Sequence, residues 1–188
     1  MPDPARSAAE AAWADALPGH RQRAGPGPSD EGFRFRSVLG QYATGVTIVS
    51  AVDPVDGRPC GLVVSSFTSV SINPPLVAFC VSNVSRSWPR MKAAARCCVN
   101  VLAADQRPLV DRFFRSGADK FNGVDWWPSM AGSPVIPGVL AWIDCSIESE
   151  HPAGDHTVVI ARVLDMECGD RDDPLLFFRS SYGSFRAL

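Results

Sequence analysis

"VLAWIDCSIESEHPAGDHTVVIARVLDMEC", Val139 to Cys168, decides the fold. Its two halves, 139–151 and 156–168, are rich in Val and Ile and read as two long strands. Between them "PAGD" supplies the Pro, Gly and Asp that turn a chain sharply. Strands joined by so short a turn return antiparallel, because a parallel return needs a crossover of about a dozen residues or more.

Working outward, the pattern repeats. "VTIVSAVD" (46–53) and "CGLVVSSFTSVSI" (60–72) flank the turn "DPVDGRP" and form a predicted hairpin. "LVAFCVS" (76–82) follows the break "NPP", and "RCCVNVLA" (96–103) and "LLFFRS" (175–180) add further strands. Helices are expected over "SDEGFRFRSVLGQYATG", with Ser29 and Asp30 as caps and Gly45 as its stop, over "SWPRMKAAA", and over "DQRPLVDRFFRSG" with Asp105 as cap. From Ala118 to Pro137 the glycines, prolines and the pair Trp126 and Trp127 predict irregular chain with aromatic anchors. Strands outnumber helices, so the expected class is mainly β, an antiparallel barrel with a few peripheral helices.

At 188 residues the chain is long enough for one domain with a substantial core. Residues 1–31, rich in Ala, Pro and Gly, read as a flexible arm with a short helix over Ser7 to Leu17, and residues 32–188 as the folded domain. A net charge of −2 gives no electrostatic footprint for nucleic acid or an anionic membrane. Neither a secretory leader nor an apolar run of ~18 residues is visible, so the expectation is a soluble cytoplasmic protein. The six cysteines include no CxxC pair and join none of the three histidines in zinc-site spacing, which argues for reduced core thiols and no metal.

The chemistry-bearing residues are less obvious. No catalytic triad, paired carboxylates or glycine-rich phosphate loop is present. "SSFTSVS" places hydroxyls at Ser65, Ser66, Thr68, Ser69 and Ser71 within what reads as a buried strand. They bond backbone, face solvent, or grip a polar ligand; because they fall on both parities, one solvent face cannot hold them all. "NVSRSW" sets Arg86 between Ser85 and Ser87 ahead of a helix, which suits an anion or a plain cap. Arg112, Arg115 and Lys120 read as solvated charge beside Phe113 and Phe121. His156 follows the turn as a structural or a functional residue.

Taken together, "FRSVLGQYATGVTIV", "SSFTSVSINPPLVAFCV", "VSRSW", "CVNVLAADQ", "RFF", "DKFNGVDW", "GSPVIPGVLAWIDC" and "GDHTVVIARV" carry a resemblance from about Phe33 to Tyr182. The chain resembles the short-chain flavin reductases of two-component flavin-dependent monooxygenases. Within them it is most similar to the reductases of actinobacterial monooxygenases acting on steroid-ring phenols. The resemblance implies a homodimeric split β-barrel that oxidises NADH, binds FMN or FAD, and hands reduced flavin to an oxygenase component. It implies a flavin site at Pro59, Cys60, Gly61, Leu62 and Val63, Ser65 and Ser66, Cys80, Val81 and Ser82, Arg86 and Ser87, and Arg112 and Phe113, with His156 against the nicotinamide. The opening hydroxyls would then line or support the ring and ribityl pocket. The arm before Phe33 is longer than the family requires. Two other readings share the fold: an oxidase that retains FMN, and a non-enzymatic flavin-binding electron carrier. Hydride transfer between two cofactors needs stacked, oriented rings rather than a strong acid or base, which agrees with the absence of a catalytic constellation.

Overall fold

In the computed structural model, residues 30–115 and 119–187 are described. The expected arm lies outside them except for Asp30 and Glu31, which open helix α1 (Asp30–Leu39). This helix ends earlier than its sequence suggests. Gly40 N–H closes the last turn on Arg36 O at 2.8 Å, so Gly40 and not Gly45 is the stop.

Seven strands form one antiparallel sheet in the order β3-β2-β6-β9-β10-β5-β4. They are β2 (Thr47–Val52), β3 (Pro59–Val64), β4 (Thr68–Ile72), β5 (Pro75–Ser82), β6 (Arg96–Val101), β9 (Ala141–Ala153) and β10 (His156–Cys168). The β9–β10 strands that set the fold pair from His156↔Ala153 to Cys168↔Ala141. Their turn is tighter than "PAGD", because Pro152 and Ala153 stay in the strand and only Gly154, with φ +67°, and Asp155 make the bend. A small sheet of β1 (Thr44–Gly45), β11 (Leu176–Phe178) and β12 (Ser181–Gly183) and a ribbon of β7 (Trp127–Pro128) and β8 (Pro134–Val135) complete the strands.

The two edge strands of the large sheet, β3 and β4, are joined by only Ser65 to Phe67. That connection spans at most ~14 Å, whereas the edges of a flat seven-stranded sheet would lie roughly 29 Å apart. The sheet therefore curls on itself. Its seam stays open between β3 and β4, which is the split of a split barrel. The predicted partnership of "VTIVSAVD" with the whole of "CGLVVSSFTSVSI" holds only as far as Val64, since β4 turns away to pair with β5.

Strand alternation then sorts the core. Val49, Ala51, Cys60, Val64, Val77, Phe79, Val81, Cys97, Val99, Cys145, Val159 and Ala161 point inside the curl. Helix α2 (Trp88–Ala94) plugs one side with Trp88 and Met91, Trp88 meeting Phe79 edge-on at 5.8 Å. Outside the curl, Ile48 packs with Leu102, Val110, Phe113, Phe121, Ile136 and Phe177 under helix α3 (Arg107–Phe114). Asp105 does not cap this helix. It lies in a 3₁₀ turn, Ala104–Gln106, and pairs with Arg171 at 3.0 Å, while Gln106 Oε1 accepts Ala103 N–H. β2 is thus buried on both faces.

A polar knot ties the two layers. Asn100, 0% exposed, accepts Ile136 N–H at 2.8 Å and donates to Ile48 O at 3.2 Å and Ser50 Oγ at 2.9 Å. Ser50 Oγ in turn donates to Pro134 O. Asp144 likewise accepts Ser129 Oγ–H at 2.6 Å and Ala131 N–H at 3.1 Å, fixing the β7–β8 ribbon on the sheet.

Asn100→Ala strands the Ile136 amide without water. It is expected to lower unfolding stability by about 2–4 kcal/mol, a cavity and an unpaired buried donor acting together. Urea denaturation followed by tryptophan fluorescence checks this; an unchanged midpoint overturns it.

Candidate functional site

The seam of the curled sheet exposes backbone that ordinary sheets cover. Among the described residues, β3 has a strand partner in β2 alone. On the facing side the β4–β5 ladder ends at Thr68↔Ala78, so Cys80, Val81 and Ser82 have a strand partner only in β10. Ser66 bridges this step. Its hydroxyl accepts Cys80 N–H at 2.8 Å and lies 3.4 Å from Cys80 O, substituting for the strand that has turned away. Ser65, half-buried, makes no side-chain hydrogen bond among the described residues. The other hydroxyls are not buried as the sequence suggested. β4 is an exposed edge, and Thr68 and Ser69 both face solvent on successive positions, so hydroxyls of both parities need no buried partner.

Several expected site residues therefore share one slot: Pro59 to Val63 on the β3 edge, Ser65 and Ser66 at its apex, Cys80 to Ser82 on the β5 edge. Within it Cys60 and Val81 turn their side chains into the inner core, 5% and 2% exposed, so backbone is what they present. Gly61 is required by its neighbours, since a Cβ there would lie 2.8 Å from Val49 O and 2.9 Å from the Phe113 ring. Phe113, 1% exposed and edge-on to Phe121 at 5.0 Å, backs the slot from the outer core. Arg112 donates through Nη1 to Asn122 O, holding the loop after α3. Arg86 is exposed and Ser87 half-buried where the chain enters α2, and Arg86 has no ion pair among the described residues.

His156 stands opposite Ser82 in the β10–β5 ladder. Asp155 Oδ1 engages its Nδ1 at 2.7 Å, which orients the ring and leaves Nε2 without a bond among the described residues. Asn83 holds this corner: it donates to Gly154 O at 3.2 Å and accepts Thr157 Oγ1–H at 3.0 Å. Asn83 and Asp155 escape a reading of the sequence, where both look like turn formers.

Lys120 was also hidden, read as solvated charge. It is half-buried, with Nζ 3.1 Å from Ser87 Oγ and 3.3 Å from Gly61 O, and so ties the β3 edge to the start of α2.

Four buried thiols, Cys60, Cys97, Cys98 and Cys145, are poor nucleophiles. Burial pushes Cys60 up to about 11 and Cys145 up to about 12, and raises Cys97 and Cys98 as well, so they are protonated at neutral pH. Among the described residues no group of three or more His, Cys, Asp or Glu is gathered as metal ligands. No helix among them is long and apolar enough to cross a membrane. The slot can bind and orient a flat polar molecule through amides, hydroxyls and cations.

Comparison with known proteins points the same way. The model of the flavin reductase like domain matches residues 39–186. A flavin reductase of Pseudomonas putida is 50% identical over 154 residues, 82% of this chain and 90% of that protein. The flavin-dependent monooxygenase reductase subunit HsaB of Rhodococcus jostii is 48% identical, covering 79% of this chain and 75% of its own. Among solved structures, the Streptomyces globisporus NADH:FAD oxidoreductase SgcE6, in complex with NAD and FAD fragments, superposes with a TM-score of 0.77 at 31% identity, over 88% of this chain and 98% of that one.

Proposed function

This chain belongs to the flavin reductase like family, and from that premise we propose that it oxidises NADH to reduce free FMN or FAD and releases the reduced flavin to a separate monooxygenase component. It is an oxidoreductase with flavin and NADH as its cofactors. The observation that carries the reading is the open seam, with its two backbone edges, its hydroxyls and an uncommitted guanidinium at Arg86. Such a donor set fits a flavin, whose ring edge alternates donors and acceptors and whose phosphate accepts only.

In this reading the β3 edge from Pro59 to Val63 and the β5 residues Cys80 to Ser82 address the ring and ribityl chain through backbone. Ser65 adds its hydroxyl. Ser66 acts by holding Cys80 in place, and Arg86 with Ser87 addresses the phosphate. Arg112 and Phe113 support the slot from behind. The bound flavin supplies a hydride-accepting ring, so the protein's task is to stack and orient the two cofactors. His156, oriented by Asp155, positions the nicotinamide by packing and by Nε2. We favour NADH over NADPH because a further phosphate requires a further cation.

The chain is proposed to work as a homodimer. Trp126, Trp127, Met130, Leu164 and Met166 are exposed, and so are Phe33, Phe35 and Val38 on α1. These exposed apolar side chains are the surface such a dimer would cover, and two-fold dimers are the commonest oligomer.

NADH consumption that scales with added FMN, FAD or riboflavin is the expected result of a steady-state assay. Flavin-independent turnover with a retained flavin favours a self-contained oxidase instead, and no flavin-dependent loss of NADH absorbance rules the assignment out. His156→Ala is expected to raise the NADH KM several-fold, the effect of a lost hydrogen bond of about 0.5–1.5 kcal/mol plus packing, with the flavin KM nearly unchanged. A variant with a lowered Tm and wild-type NADH KM returns His156 to a structural role. Light scattering is expected to give twice the 20.2 kDa monomer mass, and a monomer at micromolar concentration contradicts the dimer.

A further inference from the structure

We propose that Lys120 is the buried cation that fixes the flavin by its phosphate, an assignment that rests on the flavin reductase reading and extends it to a residue outside the slot's edges. The first observation is placement. Asp119 Oδ1 accepts Phe121 N–H at 3.2 Å, and Phe121, 4% exposed, is locked against Phe113, so the turn after α3 is anchored on both sides of Lys120. Its ammonium is thereby delivered to Gly61 O on β3 and Ser87 Oγ at the start of α2. Both are residues of the candidate site. An ammonium has three donors and no acceptor, and these two contacts leave one hydrogen uncommitted.

The second observation is charge. Several cations near the sheet have carboxylates: Arg90 has Asp53 and Asp56, Lys92 has Glu150, and Arg162 has Glu148. Lys120 has none among the described residues. The thiol beside it, Cys60, is neutral and cannot serve as counter-ion. Burial without an anion disfavours the charged form and pulls its pKa down from the ordinary lysine value. A half-buried ammonium in that condition is unstable relative to one with a bound anion, and it lies in the one place where the site would receive one.

The third is the kind of group the surroundings accept. Lys120 Nζ, Ser87 Oγ and the unpaired Arg86 guanidinium on the same segment are all donors, matching an acceptor-only phosphate better than the mixed edge of the ring. A phosphate monoester carries about −1.5 to −2 charges at neutral pH, so both cations can be used at once.

The experiment compares FMN with riboflavin, which differ by the phosphate alone. Dissociation constants are measured from quenching of flavin fluorescence for the wild type, Lys120→Met and Lys120→Arg, at low and high salt. The wild type is expected to prefer FMN. Lys120→Met is expected to weaken FMN by about ten- to a hundredfold, the range for a lost charge-assisted hydrogen bond, to leave riboflavin within about twofold, and to flatten the salt dependence. Lys120→Arg recovers part of the FMN affinity. Retained riboflavin binding certifies the fold of each variant; should Lys120→Met lose both ligands and its cooperative melt, Lys120→Gln, which keeps a donor at similar reach, carries the same comparison. Equal weakening of the two flavins, or unchanged FMN affinity, overturns the phosphate role while the flavin reductase reading stands. A wild type that binds neither flavin overturns both.

Discussion

The three residues Ser65 to Phe67 govern this molecule. A connection that short between the first and last strands of a seven-stranded sheet forces the curl, and the curl creates both an interior and a seam. Had β4 continued the β3 line as a partner of β2, the sheet would have closed differently and the backbone of β3 and β5 would be covered. Instead two edges face one opening. Unpaired sheet edges are ordinarily a liability, managed by charge, bulges or covering chain. Here a serine hydroxyl occupies the step at Cys80, a register shift breaks the β4 edge, and the rest is left as an amide-lined slot.

Holding an open seam requires that the opposite wall be rigid, and the buried polar groups meet that need. Asn100 and Ser50 couple β2 and β6 to the loop carrying Pro134 and Ile136, and α2 is tied down by Arg90 to Asp53 and Lys92 to Glu150. The fully buried β2 is therefore clamped from both layers, with Ile48 outward and Val49 inward. Gly61 shows how close the tolerances are, since the Phe113 ring and the β2 backbone occupy the space a methyl group would need. Packing of this density transmits small volume changes directly, so the outer core sets the shape of the slot without touching a ligand.

Local chemistry made much of the fold legible. The β9–β10 hairpin, the β2–β3 hairpin, β5, β6 and the helices α2 and α3 follow from strand composition, turn residues and helical spacing, all signals that act within a dozen residues. Failures occurred where distant partners decided the outcome. "SSFTSVSI" reads as the tail of β3, yet β5 captures it; Asp105 reads as a cap, yet Arg171 takes its carboxylate. Gly40 ends α1 ahead of Gly45 because its own amide completes the last turn. Site residues divided in the same way. A dense set of ordered motifs could nominate Ser66, Arg86 and His156, but the division of labour is tertiary: Ser66 binds a backbone 14 residues on, Asp155 orients the His156 ring, and Asn83 holds the neighbouring turn through Gly154 O. No local signal separates Lys120 from the solvated arginines beside it.

An open slot also bears on what such an enzyme must do after reduction, which is let go. Neutral hydrogen bonds to exposed backbone contribute about 0.5–1.5 kcal/mol each, because water competes for the same groups, so amides and hydroxyls along an edge grip a planar ring without trapping it. A closed barrel would bury the ring on both faces and hold it far more tightly. The proposed anchoring of the phosphate at one end resolves the opposing demands of orientation and release. The charged contacts from Lys120 and Arg86, remote from the reacting ring, would set where the flavin sits. They are the same for oxidised and reduced flavin, so they give no preference for keeping the product. Reduction alters only the ring, so departure would depend on breaking phosphate contacts that an incoming oxidised flavin can remake.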